Sequence, residues 1–317
     1  MNFTTPGPGD WLLIVDNADA ELIDPWQRRL IYNTGSSTNS TYNQNGAAKH
    51  NVRRFDILSA GPDRLYGNEG NDTLIGGDGS DFVAGGDGSV HEAVNGIMAG
   101  AGTARLGVIP TGTGNDFAKA CDIPLDWEHA TRLLGDRIVA DATWRRIDVG
   151  RMNERYFVNG VGIGLDARVT KVARSYRWPI GDLVYLLALL RCIVDGVITP
   201  TMTISADELT RSGPTTLVNV SNGAWVGGMF YIAPMADNKD GKLELLVADP
   251  VSRLRTLSLL PKILTGKHIG EKEVSHVSIR RVTIEATEPV PSHLDGEVLP
   301  LMTRFEIELL PAALDLL

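Results

Sequence analysis

Two glycine–aspartate turns, each wedged between a short apolar run and a helix-like pattern, constrain this chain more than any other feature. The first, Gly85-Gly86-Asp87-Gly88-Ser89, follows the apolar run Phe82 to Ala84 and precedes Val90, Ala93, Val94, Ile97 and Met98, which recur at helical spacing. The second, Thr111-Gly112-Thr113-Gly114-Asn115-Asp116, follows Leu106 to Ile109 and leads into a helix from about Asp116. Strand, glycine turn and helix, repeated about 25 residues later, is the rhythm of a parallel α/β sheet. Ser89 is a suitable N-cap for a first helix over Ser89 to Ala99. Glycine lets backbone N–H groups approach a ligand, and a helix N-terminus adds partial positive charge, so such a turn suits phosphate oxygens. Asp87 can then hold a magnesium ion or its waters. Either turn alone is compatible with a plain capped loop; the pair in a βαβα setting points to a bound ligand.

The glycines are concentrated here. Of 34 in 317 residues, fifteen fall between Gly61 and Gly114, which excludes a collagen or a linker protein, where glycine is periodic or spread throughout. With 43% hydrophobic and 22% charged residues the chain is a folded one, long enough for about two domains. A formal charge of −9 argues against non-specific nucleic-acid binding, so no nucleic-acid partner is expected. Cys121 and Cys192 are the only cysteines, so no disulfide framework is expected and a reducing compartment is allowed. MNFTTPGPGD lacks a basic start followed by an apolar stretch, so no secretory leader is expected. The longest apolar run, Leu183 to Leu190, is eight residues, against about 20 for a bilayer span. No transmembrane segment is expected, any membrane contact is peripheral, and the run reads as buried core before a lipid-facing patch.

At the N-terminus, Trp11 to Val15 reads as a strand ending in Asp16, like the magnesium-aspartate strand of P-loop NTPases. The phosphate loop G-x-x-x-x-G-K-[ST] that must precede it is absent from the whole chain, so the likeness has little functional weight. Arg29 to Asn33 is a second short strand. After about residue 140 strand-like runs dominate: Arg146–Val149, Tyr156–Val161, Thr201–Ser205, Leu217–Ser221, Leu243–Val247, Val277–Ala286 and Arg304–Leu309. Helical patterns interrupt them at Leu165–Arg174, Gly181–Val194 and Ser252–Leu264. This half reads as a mostly antiparallel β domain. Near its end lies a third turn, His293-Leu294-Asp295-Gly296-Glu297, whose two carboxylates can serve as a general base and a metal anchor.

Four segments in this order, GGDGSVHEAVNGI (85–97), LGVIPTGTGNDFAKACDIP (106–124), NGAWVGGMFYIAPMADNKDGKLELLVAD (222–249) and LDGE (294–297), resemble the diacylglycerol kinase catalytic-domain family. The likeness runs from about Asp81 to Leu310. It implies an α/β nucleotide-binding domain, a parallel sheet with flanking helices, over 31–140, completed by about 300–317. A C-terminal, mostly antiparallel β-sandwich over 141–299 would take the lipid, the nucleotide would sit in the cleft between, and 1–30 would be an atypical N-terminal segment. The implied activity is an ATP-dependent lipid kinase that transfers the γ-phosphoryl group to a lipid hydroxyl, with a diacylglycerol-type acceptor and Mg2+. It would be cytoplasmic and peripheral at the inner membrane face; a homodimer is left open.

Residue by residue, the resemblance assigns Gly86, Asp87, Gly88, Ser89, Val90, His91, Glu92 and Thr113 to ATP binding. Asn33, Thr34, Gly35, Ser36 and Ser37 stand where the family has N-P-x-S-G, another phosphate contact, but lack its proline and final glycine. Asp87 and Asp116 would join a magnesium–water network. Glu297 matches the catalytic base, with Asp295 its neighbour in the motif. Asp237, Asp240 and Lys242 match a separate structural magnesium site, the first and last through backbone carbonyls. His91 taken alone reads as a helix-surface residue.

One segment departs from the family. GNEGNDTLI (67–75) and GGDGSDFVA (76–84) fit the nonapeptide G-G-x-G-x-D-x-U-x of calcium-binding β-helices, the first with Asn68 in place of a glycine. The next nonapeptide, GGDGSVHEA, loses its aspartate to Val90. Two and a part repeats fall short of the three or more a β-roll needs to bury a core. A glycine-rich loop leading into the kinase turn is therefore favoured over Ca2+ binding at 67–88. A calcium-binding module and a kinase-like protein without activity stand as the alternatives to the enzyme.

Overall fold

The computed structural model describes residues 12–15, 56–58, 73–75, 80–99, 105–139, 145–176, 183–207 and 209–317. Asn33, Thr34, Gly35, Ser36 and Ser37, the strand expected at 29–33, and most of 67–79 lie outside these residues.

The first half contains β1 (Leu12–Val15), β2 (Asp56–Leu58), β3 (Thr73–Ile75), β4 (Ser80–Gly85), α1 (Asp87–Ala99), β5 (Arg105–Pro110), α2 (Asp116–Ala120) and α3 (Trp127–Val139). β1, β4 and β5 pair in parallel in that order, as the βαβα rhythm predicts, while β2 and β3 form a separate parallel pair. The apolar stripe of α1, Val90, Ala93, Val94 and Ile97, is buried against Val83, Leu106 and Val108, with Phe117 and Cys121 closing the same core. Each buried valine, leucine, isoleucine or phenylalanine of this layer stabilises it by about 1.5–3 kcal/mol. α1 starts at Asp87, two residues before the expected Ser89, so the glycine turn runs directly into the helix.

The second half comprises β6 (Arg145–Met152), β7 (Arg155–Phe157), β8 (Gly160–Gly164), α4 (Leu165–Ala173), α5 (Leu183–Asp195), β9 (Thr201–Ala206), β10 (Thr210–Pro214), β11 (Leu217–Ser221), β12 (Leu243–Ala248), α6 (Arg253–Ile263), β13 (Val274–Ile279), β14 (Arg281–Val290), β15 (Ser292–Leu294), β16 (Glu297–Val298) and β17 (Met302–Leu316). A six-stranded sheet, β13-β12-β11-β8-β15-β16, is antiparallel throughout. Its inner face, with Val161, Ile163, Val218, Val220, Leu243 and Leu245, shares one core with Met202, Ile204, Val282, Ile284, Phe305 and Ile307 of the opposite sheet. The fold is thus an α/β sheet domain joined to a C-terminal antiparallel β-sandwich.

The run Val277–Ala286 is two strands. The chain leaves the six-stranded sheet at Ile279 and enters the other at Arg281, so continuous β propensity conceals a change of sheet. Tyr156–Val161 also splits, because 158–159 form a bend between β7 and β8. β10 carries no large apolar side chain and lies at a sheet edge, which leaves no signal in its sequence.

β17 joins the two halves. Its first part pairs with β14, and its end pairs in parallel with β5 at Asp315↔Arg105 and Leu316↔Leu106. A register break between Leu310 and Leu314, with Ala312 at φ 49°, turns the strand between them. Asp148 holds that break by accepting the Ala312 N–H at 2.7 Å.

α4, α5 and α6 form a side layer in which Leu165, Val169, Ala188, Leu189, Cys192 and Ile193 are buried together. The Leu183–Leu190 run is therefore core on one face only; Leu183 and Leu187 are exposed on the other. Among the described residues no helix is long and apolar enough to cross a membrane.

Candidate active site

The two glycine turns touch. A Cβ placed on Gly112 would lie 2.4 Å from Gly86 Cα and 2.9 Å from Asn115 Oδ1. The Thr111 N–H donates to the Gly85 carbonyl at 3.1 Å. Asn115, left-handed at φ 52°, closes the second turn by accepting the Gly112 N–H (3.1 Å) and donating to the Gly112 carbonyl (2.8 Å). By contrast a Cβ on Gly88 would meet nothing within 4 Å. Gly112→Ala is expected to destabilise the protein by about 1–3 kcal/mol. Gly88→Ala should stay within about 0.5 kcal/mol. Urea denaturation midpoints measure both, and equal midpoints would refute the close packing.

Asp87 reaches across to the second turn. Its carboxylate accepts the N–H groups of Asp116 (3.0 Å) and Phe117 (2.8 Å), and Asn159 Nδ2–H at 3.3 Å. Asp116 in turn accepts the Gly228 N–H through both oxygens, at 3.1 and 3.0 Å, and pairs with Lys119 Nζ at 3.3 Å. Lys119 also donates to the Gly228 carbonyl (2.5 Å) and lies 5.3 Å over the Trp225 ring. Burial pushes the Asp116 pKa up to about 6, with the neighbouring Asp87 charge adding to the rise. Burial also raises Asp87, against the pull of its backbone hydrogen bonds, and Asp295 adds to that rise. Two desolvated carboxylates thus lie between the turns, with Lys119 beside one of them.

The third turn separates its two carboxylates. Asp295 (φ 47°) and Gly296 (φ 88°) are both left-handed, and this aims the two side chains differently. The Asp295 side chain is fully buried. It accepts the consecutive N–H groups of Val158 (3.0 Å), Asn159 (2.8 Å) and Gly160 (2.8 Å). A fourth bond comes from His91 Nδ1 at 3.0 Å. His91 is not on the helix surface, as its isolated position suggests, but buried. Asn95 Nδ2 faces its Nε2 at 3.4 Å, which suits the Nδ1–H tautomer. Asp295 therefore ties the sandwich to α1. Glu297 stays 18% exposed and pairs with Arg174 at 2.6 Å. His293 is buried, accepts the Gly296 N–H at Nδ1 (3.3 Å), and presents Nε2 to Asp166 Oδ2 at 3.2 Å.

Asp237, Asp240 and Lys242 form a self-closed turn. Asp237 accepts the Lys239 N–H (3.1 Å) and Asp240 the Lys242 N–H (2.9 Å), while Gly241 donates to Asp148 at 2.8 Å. Burial raises the Asp240 pKa, although Lys242 N–H donation opposes it. Asn238, donating to Cys121 Sγ at 3.1 Å, packs this turn against the end of α2. Among the described residues no three His, Cys, Asp or Glu side chains converge on a metal-sized site.

Of the expected residues, Gly86, Asp87, Gly88, Ser89, Val90, His91 and Glu92 lie at the start of α1, and Thr113 lies in the facing turn. Asn159, Asp148, Asp166, Arg174 and Gly228 join the site without a spacing signal, because their partners are far away in sequence. Asn159, for example, lies 72 residues from Asp87 and 136 from Asp295.

The family model of the diacylglycerol kinase catalytic domain matches residues 74–152. That of the YegS C-terminal NAD kinase beta sandwich-like domain matches 159–317. A model of the RTX calcium-binding nonapeptide repeat, in four copies, matches 58–89. The chain is 33% identical over 241 residues to a diacylglycerol kinase of Mycobacterium tuberculosis, covering 70% of this chain and 72% of that one. It is 31% identical over 211 residues to a diacylglycerol kinase of Bacillus subtilis, covering 66% and 68%. A crystal structure of a diacylglycerol kinase from Bacillus anthracis superposes with a TM-score of 0.56 at 25% identity, covering 75% of this chain and 74% of that one.

Proposed function

The chain belongs to the diacylglycerol kinase family of lipid kinases, and on that premise we propose that it transfers the γ-phosphoryl group of ATP to the hydroxyl of a diacylglycerol-type lipid. The observation that carries this reading is the contact of Gly86 with Gly112, where backbone meets backbone with no Cβ on either residue, beside the Asp87 carboxylate that links the two helix starts. In this reading the N–H groups from Gly86 to Ser89, with Thr113 opposite, line the phosphates, while Val90, His91 and Glu92 follow inside the helix, where the Val90 N–H already donates to the Gly86 carbonyl. His91 acts there through Asp295, since its ring is bonded to that carboxylate.

The carboxylates of Asp87 and Asp116 suit a hydrated magnesium ion. All four of their oxygens already accept N–H groups, so water molecules rather than the metal would meet their remaining lone pairs. When bound, magnesium neutralises phosphate charge in a transfer that depends mainly on positioning and electrostatics. Glu297, accessible beside the turn, takes the proton of the acceptor hydroxyl. The hydroxyl oxygen bonds to the γ-phosphorus as its bond to the β–γ bridging oxygen breaks, giving a lipid phosphate and ADP. The buried Asp295 positions this turn and does not meet the substrate. The enzyme works as a cytoplasmic protein, peripheral at the inner membrane face.

The test is to incubate purified protein with labelled ATP, magnesium and separate lipid classes, and to identify products by mass spectrometry. A phosphorylated diacylglycerol-type lipid is expected; no phosphorylated lipid from any class overturns the proposal.

Asp237, Asp240 and Lys242 are proposed to hold a second magnesium through two backbone carbonyls and the Asp240 carboxylate. Millimolar magnesium is expected to raise the melting temperature of the nucleotide-free protein by about 2–4 °C. Asp240→Asn should abolish that rise, and an unchanged rise refutes the site.

The repeat-model match over 58–89 favours a second reading, Ca2+ binding at 67–88. Calorimetry with millimolar calcium decides it: no heat of binding removes it.

A further inference from the structure

We propose that Arg174 is a positioning residue for phosphoryl transfer, fixing the Glu297 carboxylate from the end of α4. The proposal rests on the reading of Glu297 as the base. Glu297 opens β16, a two-residue strand that among the described residues pairs only with β15, at His293↔Val298 and Leu294↔Glu297. So short an edge strand, following two left-handed residues, has few ladder bonds to hold it.

α4 supplies what the sheet does not. Asp166, in its first turn, faces His293 of β15 at 3.2 Å; Arg174, just past its last turn, reaches Glu297 Oε2 at 2.6 Å. These two residues stand about 12 Å apart along the helix, and of the two it is Arg174 that reaches the base. The helix between them is fixed because Leu165, Val169 and Ala173 are buried in one core with Ala188, Leu189 and Cys192 of α5. Glu297 is thus held from a packed element rather than from its own loop.

The guanidinium takes Oε2, and Oε1 has no partner among the described residues, which leaves it for the acceptor proton. Arg174 is 46% exposed. A pair so open to water adds little to stability. Its consequence is therefore orientation and charge at the base, and its loss should leave the fold intact.

Lipid phosphorylation by Arg174→Gln is expected to show kcat about tenfold below wild type. KM for ATP and lipid, and the melting temperature, should be unchanged. Arg174→Lys should recover part of kcat, and millimolar guanidinium should restore Arg174→Ala. In the double variant Arg174→Gln/Glu297→Gln the first change should cost nothing beyond Glu297→Gln alone. Wild-type kcat in Arg174→Gln, or an effect confined to lipid KM, overturns the proposal while leaving Glu297 in place. Full activity in Glu297→Gln removes the base reading itself, and the proposal with it.

Discussion

Replacing Glu297 by glutamine is expected to lower kcat for lipid phosphorylation by about 10²–10⁴-fold, the usual contribution of a general base. Glutamine keeps the size of the side chain and can still accept from Arg174, but it cannot take the acceptor proton. Stability should hardly change, because Glu297 is partly exposed and its ion pair with Arg174 lies half in water. Turnover with saturating ATP and lipid, set beside a melting curve of the same preparation, gives the answer. Full turnover would remove Glu297 from the base role.

Two residues earlier, Asp295→Ala is expected to act in the opposite order, on the fold before the chemistry. The change strips the partner from three consecutive buried N–H groups, those of Val158, Asn159 and Gly160, and from His91. Breaking a buried, fully bonded charge of this kind costs about 3–5 kcal/mol, a large share of the stability of any domain. The urea midpoint should fall accordingly, and what activity remains should follow the folded fraction. His91→Ala, which removes one bond of four, should cost about 1–3 kcal/mol. An Asp295→Ala protein with the wild-type midpoint and no turnover would show instead that Asp295 meets the substrate.

These two carboxylates show where reading the chain stops. In LDGE they are equivalent: two acids either side of a glycine. What separates them is the bend between β7 and β8, which delivers three N–H groups to one acid only, and the left-handed pair Asp295-Gly296, which aims the other toward α4. His91 is a similar case. Helical spacing places it correctly on α1, but its neighbour is 204 residues away, so a surface position is the natural reading until the sheets are assembled. The long run Val277–Ala286 conceals the crossing at Arg280 because both sheets accept the same β-branched residues.

By itself the sequence determined the parts that depend on near neighbours. The apolar stripe of α1, the strands that precede each glycine turn, the antiparallel character of the second half and the family likeness of four ordered segments are all written within a few residues of one another, where periodicity and backbone freedom act. Only the tertiary structure decided which groups meet. The contact of Gly86 with Gly112, the clamp on Asp295, the bridge of Asn159 to Asp87 and the hold of Arg174 on Glu297 each join residues from different elements. A buried carboxylate takes its character from the donors that surround it, and those donors arrive only when β8, β15, α1 and α4 are packed together.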